Sequence, residues 1–424
     1  MLFLAVSDIL SAIGMIAAAM ITAVYGKFSV TLSKKKTILF IFTIVIMLMH
    51  IISFIVFSMY NFQRFDNAHS FLRFCSIGVP FFFFQAVRFT IDVYTGKIRK
   101  NPDINDSLEF LLFYPCLVMG PVMTYNEHIE MLSDSRQCSE RIGEGLGLFI
   151  KGLSKKLLLA DTIGLVFSPL YGDVNKDTTL LMSWFIVLAF ALELFFTVAG
   201  YGDMAKGIAL CYGFKIPANY KYPLLSGSLS RFGSEWNISV VSWCKSCFSP
   251  MLRGSRWQSI IGVTAAWIIV GFWYRPELQV IIWCAWLGFW IGMDGYIRNQ
   301  LKRIPSVIYG IVFFIVTFFG WAFLSADSIA GGVNMVGLLV GSSTSIFRAQ
   351  DFYYISQAGI VILIAVYSAT GHFNAFIERM RRIPVFYAIT TLFGFIFQIL
   401  LLLLCIVVLV TNNDITALQL KGAI

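Results

Sequence analysis

Charge is scarce in this chain. Of its 424 residues only 13% are Asp, Glu, Lys or Arg, about half of the roughly 25% typical of soluble proteins. Apolar residues make up 58% and the mean hydropathy is +0.78. Long stretches free of strongly apolar segments are missing too, so little chain remains from which to build a soluble domain. A soluble enzyme, a disordered protein and a secreted disulfide scaffold are thereby excluded, and the chain reads as an integral membrane protein. Histidine is rare, with four in all, and no metal cluster, phosphate loop or dinucleotide signature is present. The eight cysteines are scattered. Only Cys244-x-x-Cys247 has a suggestive spacing, and without a second pair or a thioredoxin-like context it reads as ordinary buried or interfacial thiols. The net charge of +9 lies in short runs between apolar segments, the usual bias of cytoplasmic loops and not a nucleic-acid-binding face.

What is abundant is apolar sequence long enough to cross a hydrocarbon core, which takes roughly 20 helical residues. Such runs occupy 2–25, 37–59, 178–199 and 386–411, with shorter or interrupted ones near 71–94, 145–170, 258–273, 278–297, 307–324 and 353–370. The expected fold is an all-α multi-pass membrane protein of about nine to eleven transmembrane or re-entrant helices. Lys34, Lys35 and Lys36 follow the first run and Lys97, Arg99 and Lys100 the third, which places both loops inside and the N-terminus outside. No charged region precedes the first run and no small-residue cleavage site closes it, so it is expected to stay as a helix.

Two stretches break the pattern. Phe110–Tyr125 is apolar yet holds Pro115, Gly120 and Pro121. Proline removes a backbone donor and turns its predecessor away from helix, and broken backbone at membrane depth survives only inside protein or along a watery cavity. This predicts a re-entrant wall of a central chamber, with a kinked ordinary helix as the alternative. Farther on, Phe232, Trp236, Val240, Trp243 and Cys247 recur at helical spacing, while Ser234, Glu235, Ser242, Lys245 and Ser246 fall largely off that stripe. The pattern predicts a helix lying in the interface, tryptophans inward.

These residues resemble the membrane-bound O-acyltransferase family, in particular its bacterial branch of alginate O-acetyltransferases and teichoic acid D-alanyltransferases. Phe82–Lys97, with Gln85, Asp92, Tyr94 and Gly96, resembles the family helix SFxTFQAISYxIDVYRGK, and Tyr114–Pro121 resembles FPxLVAGPI. Ala199–Ser226, with Tyr201, Asp203, Pro217, Asn219 and Pro223, resembles GYSDMAIGxxxxxGFxxPxNFxxPYLS, and Gly320–Ser328 resembles GWxFFRADS. The resemblance implies one membrane-embedded domain over 1–424, with peripheral helices in 1–94, a core with re-entrant and in-plane helices in 95–328 and C-terminal helices in 329–424. It also implies transfer of an acyl group from a cytoplasmic thioester through a tunnel onto a hydroxyl beyond the membrane.

An alcohol attacking a thioester must lose its proton, and histidine is the usual base. The family draws it from a hairpin reading GLWHGxxWxFxxWGxLHG. Over Gly271–Gly288 this chain keeps Trp273 and Trp283, but Tyr274 and Leu287 stand where the family has histidines. On the family's EFWRRWHISLSTWFRDY helix, Asn237 replaces a third histidine and Ser234 and Glu235 replace an arginine pair, while Trp236, Ile238, Ser239 and Trp243 persist. Loss confined to polar positions marks a chain that keeps the fold and has lost or replaced the chemistry. Leucine accepts no proton and tyrosine is a poor base. Substitutes for the base are His128, seven residues past Pro121, and Glu235, with Glu277 behind them. His50 lies mid-span and reads as a satisfied core group, and His69 and His372 lie in loops. Glu193 and Asp203, at or near membrane depth, are expected to be paired. The expected chamber is lined by Tyr201, Asp203, Trp236, Trp243, Trp273, Trp283, Pro115, Gly120 and Pro121.

The favoured function is a catalytically degenerate relative that binds lipid, acyl chain or glycan, or docks a partner, in cell-envelope polysaccharide O-acylation. An active O-acyltransferase with relocated residues stands beside it, and a transporter ranks behind because no inverted repeat of broken helices is evident. No bound cofactor or metal is expected, only an acyl thioester donor if the chain is active. The resemblance implies membrane lipid, an acyl carrier at the cytoplasmic mouth and an extracytoplasmic glycan-modifying protein as partners, no nucleic acid, and a bacterial plasma membrane.

Overall fold

The computed structural model describes residues 9–32, 35–99, 101–135, 139–171, 178–224, 226–248, 253–274, 277–300, 306–326, 328–343 and 345–411, except 65–78. His69, Lys34, Lys100, Arg275, Pro276 and Asp327 lie outside the described residues. The side chains of Trp273 and Tyr274 are likewise outside them, although both residues belong to a helix. Among the described residues there is no strand, and the chain is an all-α multi-pass membrane protein. Among the described residues six helices are long and apolar enough to cross a membrane, and Arg256–Phe272, Ile308–Leu324 and Ile329–Leu339 are shorter apolar helices. The span Phe386–Thr411 combines a mean hydropathy of 3.1 with only 6% of its surface window buried. Such a surface is tolerated in lipid and not in water. The described residues divide into two compact units, one within 9–149 and 201–218 and the other within 150–200 and 219–411.

The first unit contains α1 (Ile9–Leu32), α2 (Lys36–Arg64), α3 (Val79–Tyr94), α4 (Ile104–Leu111), α5 (Tyr114–Met119), α6 (Tyr125–Ser133) and the start of α7 (Ser139–Ser154). Its core joins Ala12, Met15 and Ala19 of α1, spaced to fall on one helical face, to Phe82, Ala86 and Phe89 of α3 and Phe110 of α4. The opposite faces of α1 and α2 expose Ile13, Met20, Ile41, Val45 and Ile52. His50 of α2 is the satisfied core group expected. The Thr22 hydroxyl gives its hydrogen to the Ala18 carbonyl, so at 3.0 Å it accepts from His50 Nε2.

The stretch with two prolines is broken, as its composition requires. Between α5 and α6 the chain runs extended through Gly120, at φ 74°. That backbone finds partners on α3: Gln85 accepts from the Met123 amide at 3.1 Å and Arg88 donates to the Val122 carbonyl at 2.9 Å. Gln85 and Arg88, three residues apart, share one face of α3. Polar residues of the first motif thus satisfy the broken backbone of the second.

The second unit contains the rest of α7, a π-helical turn (Lys155–Asp161), α8 (Thr162–Phe167), most of α9 (Leu180–Cys211), and then α10 (Leu229–Glu235), α11 (Ile238–Cys247), α12 (Arg256–Tyr274), α13 (Leu278–Gln300), α14 (Ser306–Leu324), α15 (Ile329–Leu339), α16 (Ala349–Ala369), α17 (His372–Arg381) and α18 (Pro384–Thr411). The run 145–170, read from sequence as a span, is helical but irregular, because the π turn interrupts it. α12 and α13 form an intimate hairpin. Gly288 and Gly292 of α13 abut Thr264 and Ile260 of α12 so closely that an added Cβ would lie 2.9 Å and 3.0 Å from their Cα atoms. Small residues at such spacing let membrane helices approach.

Candidate functional site

The interfacial helix expected from the tryptophan stripe is two helices. α10 begins at Ser228, whose hydroxyl accepts from the Arg231 amide, and ends at Glu235. Asn237 then adopts the left-handed conformation at φ 46°, the one non-glycine residue with positive φ among the described residues. Asn and His are among the few side chains enriched there, so this backbone accepts Asn237 and would accept a histidine at the same place. Asn237 does not cap α11 with its own side chain. Asn219 of the preceding motif does so. Its Oδ1 accepts from the Ser239 amide at 3.0 Å and hydroxyl at 2.9 Å, and its Nδ2 donates to Asn237 Oδ1 at 2.8 Å.

The break resets the helical phase. Phe232, Trp236 and Val240 are fully buried, as the stripe predicts, but beyond them Cys244 is buried while Trp243 is half-buried and Cys247 exposed. Trp243 and Cys247 are therefore not inward anchors. Glu235, off the apolar stripe in sequence, is nevertheless only 8% exposed. Its Oε1 accepts from Arg231 Nε at 2.7 Å, and its buried Oε2 has no hydrogen-bond partner among the described residues.

Trp236 stacks on Phe232 at 5.8 Å and meets Trp321 at 5.4 Å and Trp283 at 6.3 Å, and Trp283 meets Trp321 at 5.1 Å. Three motifs remote in sequence thus converge on one aromatic cluster. Gly320 makes room for it, since a Cβ there would stand 3.2 Å from both Trp283 and Trp286. The indole N–H groups of Trp236, Trp267 and Trp283 are buried and without a hydrogen-bond acceptor among the described residues. Leu287 is fully buried on the α13 face that also carries Trp283, Cys284 and Ile291. Ile291 fills the space above Gly233, and the Ser230 amide and hydroxyl both donate to Asp294, which fastens α10 along this face. Leu287 therefore sits between Trp283, under Trp236, and Ile291, under Gly233.

Glu277 precedes α13, accepts from Gln279 at 2.8 Å, and caps the helix with its carbonyl. Glu193 is paired as expected: the Tyr171 hydroxyl donates to it at 2.9 Å. One pair escaped the sequence reading. The Lys156 ammonium bonds the Asp161 carboxylate across the π turn, with Lys156 7% exposed. Three lysines inside the apolar run 145–170, Lys151, Lys155 and Lys156, were the available signal.

In the first unit, Pro115, Gly120, Pro121 and Tyr201 are buried and Asp203 is half-buried. His128 also lies there, 1% exposed, wedged edge-on between Phe110 at 5.4 Å and Phe113 at 5.1 Å, and its Nε2 has no hydrogen-bond partner among the described residues. Burial pushes its pKa down to about 4, and Asp106 only partly opposes this. The geometry is that of a core histidine. Its folded-state pKa lies below the unfolded 6.5, so the unfolded chain binds more protons between these values and stability falls as pH drops from 6.5 towards 4. His128→Phe is expected to remove about 2 kcal/mol of acid lability between pH 7 and pH 5, seen as a smaller fall in Tm over that range than in the wild type.

A second expectation concerns the left-handed residue. Asn237→Ala is expected to cost about 2–4 kcal/mol, from the steric penalty of left-handed backbone and the buried amide of Asn219 left short of an acceptor. Asn237→Gly should recover the steric share. Thermal unfolding of both variants in detergent measures the split, and equal losses would refute it.

No protein-family model matches the chain. It is 27% identical over 257 residues, 60% of this chain and 49% of the relative, to a probable alginate O-acetylase AlgI of Pseudomonas aeruginosa. Over 313 residues, 66% of this chain and 59% of the relative, it is 23% identical to a peptidoglycan O-acetyltransferase of Helicobacter pylori. Over 220 residues, 49% of this chain and 55% of the relative, it is 21% identical to a teichoic acid D-alanyltransferase of Bacillus subtilis. The chain thus spans about half the length of these curated relatives.

Proposed function

The chain is a homologue of membrane-bound O-acyltransferases, and from that premise we propose that it works in the O-acylation of a cell-envelope polysaccharide without the family's histidine chemistry, holding a lipid, acyl chain or glycan or docking a partner protein. The observation that carries this is Leu287. Leu287, which the motif resemblance sets where the family carries a histidine, is a fully buried aliphatic side chain, which neither accepts nor donates a proton. The second such position is Asn237, whose amide oxygen is engaged by Asn219. Meanwhile the packing that builds the site persists: the Trp236, Trp283 and Trp321 cluster, the Gly320 clearance and the Asn219 cap. The buried indole donors of Trp236, Trp267 and Trp283, without acceptors among the described residues, suit a ligand carrying carbonyl or hydroxyl oxygens, since an unmet buried donor costs about 1–3 kcal/mol. An acyl carrier at a cytoplasmic mouth, a glycan-modifying protein beyond the membrane, an external N-terminus and a bacterial plasma membrane complete the proposal.

One observation favours a second reading, an active acyltransferase with a relocated base. Glu235, adjacent to Trp236, has a buried carboxylate oxygen with no hydrogen-bond partner among the described residues. Acyl transfer from a radiolabelled acetyl thioester to polysaccharide by purified protein in detergent separates the two. No turnover is expected, with retained binding of the acyl thioester. Turnover that disappears in Glu235→Gln overturns the degenerate reading and makes Glu235 the base.

A further inference from the structure

The end of the α1–α2 hairpin holds a cavity of about 500 Å³ whose lining includes Ser29, Lys36, Leu39, Val93, Tyr94 and Pro102. This volume is within the range of about 300–1,000 Å³ typical of ligand sites. Its lining is amphipathic, with an ammonium, two hydroxyl-bearing side chains and apolar walls. The acids nearby are taken up: Asp103 pairs with Lys27 at 3.5 Å and Glu130 with Arg99 at 2.7 Å. Lys35 and Lys36 have no ion pair among the described residues, and the exposed Lys97 adds a further positive charge.

The depth of the cavity identifies its occupant. Lys36 is the first residue of the membrane span Lys36–Val56, so the cavity lies where headgroups meet hydrocarbon. From it the outer face of α2 continues as exposed Ile38, Phe40 and Ile41, and Phe40 packs on the half-exposed ring of Tyr94 at 6.0 Å. A soluble anion would engage Lys36 and leave the apolar walls and this face uncovered. A lipid would use both ends. We infer that this cavity binds an anionic phospholipid, the phosphate on Lys36 and Lys35 and an acyl chain along Leu39 and Phe40. The inference is independent of whether the chain catalyses acyl transfer.

The test is native mass spectrometry of the purified full chain in detergent, titrated with phosphatidylglycerol or phosphatidylcholine. Phosphatidylglycerol is expected to bind more tightly. Lys36→Gln should weaken it about fivefold, and Lys35→Gln with Lys36→Gln about twentyfold or more, in line with about 1 kcal/mol for each basic residue near an anionic surface. Phosphatidylcholine binding should not change. Arg379→Gln with Arg381→Gln on α17, both exposed, is the control and should retain phosphatidylglycerol affinity. Equal affinity for the two lipids, an equal loss in the α17 control, or competition by inorganic phosphate at the affinity of the lipid would each overturn the proposal. The substituted lysines lie at a helix end, and monodisperse elution of each variant checks that the fold is kept.

Discussion

Placing two histidines, Leu287→His and Asn237→His together, is expected to bring acyl transfer from a thioester from no detectable turnover to on the order of 10² to 10⁴-fold over the background rate, the usual contribution of a positioned general base. The backbone is ready for one of them. Position 237 is left-handed at φ 46°, and histidine tolerates that conformation nearly as asparagine does. Position 287 lies on the buried α13 face beside Trp283, so an imidazole there would enter the aromatic cluster and not solvent. Asn237→His alone should give no gain, because Leu287 would still deny the site its second histidine. The measurement is initial rate with radiolabelled acetyl thioester, set against binding of the same thioester by the wild type. If the double variant folds and binds but shows no turnover, chemistry has been lost beyond these two positions and the argument from Leu287 fails.

The second large effect is on stability. Lys156→Met is expected to destabilise the protein by about 3–5 kcal/mol, because removing one partner of a buried ion pair leaves the other charge uncompensated. Lys156 is 7% exposed and its ammonium bonds Asp161 within the π turn. Lys156→Met combined with Asp161→Leu should recover most of that loss, since an apolar pair of similar volume is often as stable as a buried ion pair. Thermal unfolding in detergent reports both variants. A Lys156→Met loss below about 1 kcal/mol would place the pair with ordinary solvated bridges.

The spans were legible because hydropathy over about 20 residues is a strong signal, and the break at Pro115, Gly120 and Pro121 because proline and glycine act on the backbone directly. The rest was hidden for particular reasons. A 3.6-residue period carries no trace of one left-handed residue, so the stripe held through Phe232, Trp236 and Val240 and then ran onto Trp243 and Cys247, where the structure buries Cys244. The burial of Glu235 follows from Arg231 one turn earlier, a pairing that the search for a base passed over. Lys156 and Asp161 are five residues apart, about 140° around a regular α-helix, and only the π turn brings them together. The family likeness located the tryptophan cluster, but it gave no sign that Asn219 caps α11 from another segment.

The partnership of α3 with the broken stretch also sets an order of assembly. An amide and a carbonyl facing hydrocarbon without partners cost several kcal/mol each, and those of Met123 and Val122 are met by Gln85 and Arg88. Where this stretch is shielded from water its backbone depends on α3 for both partners, and α3 precedes it in the chain by the length of α4 and α5. During synthesis α3 emerges first, so the template leaves the ribosome before the stretch that depends on it.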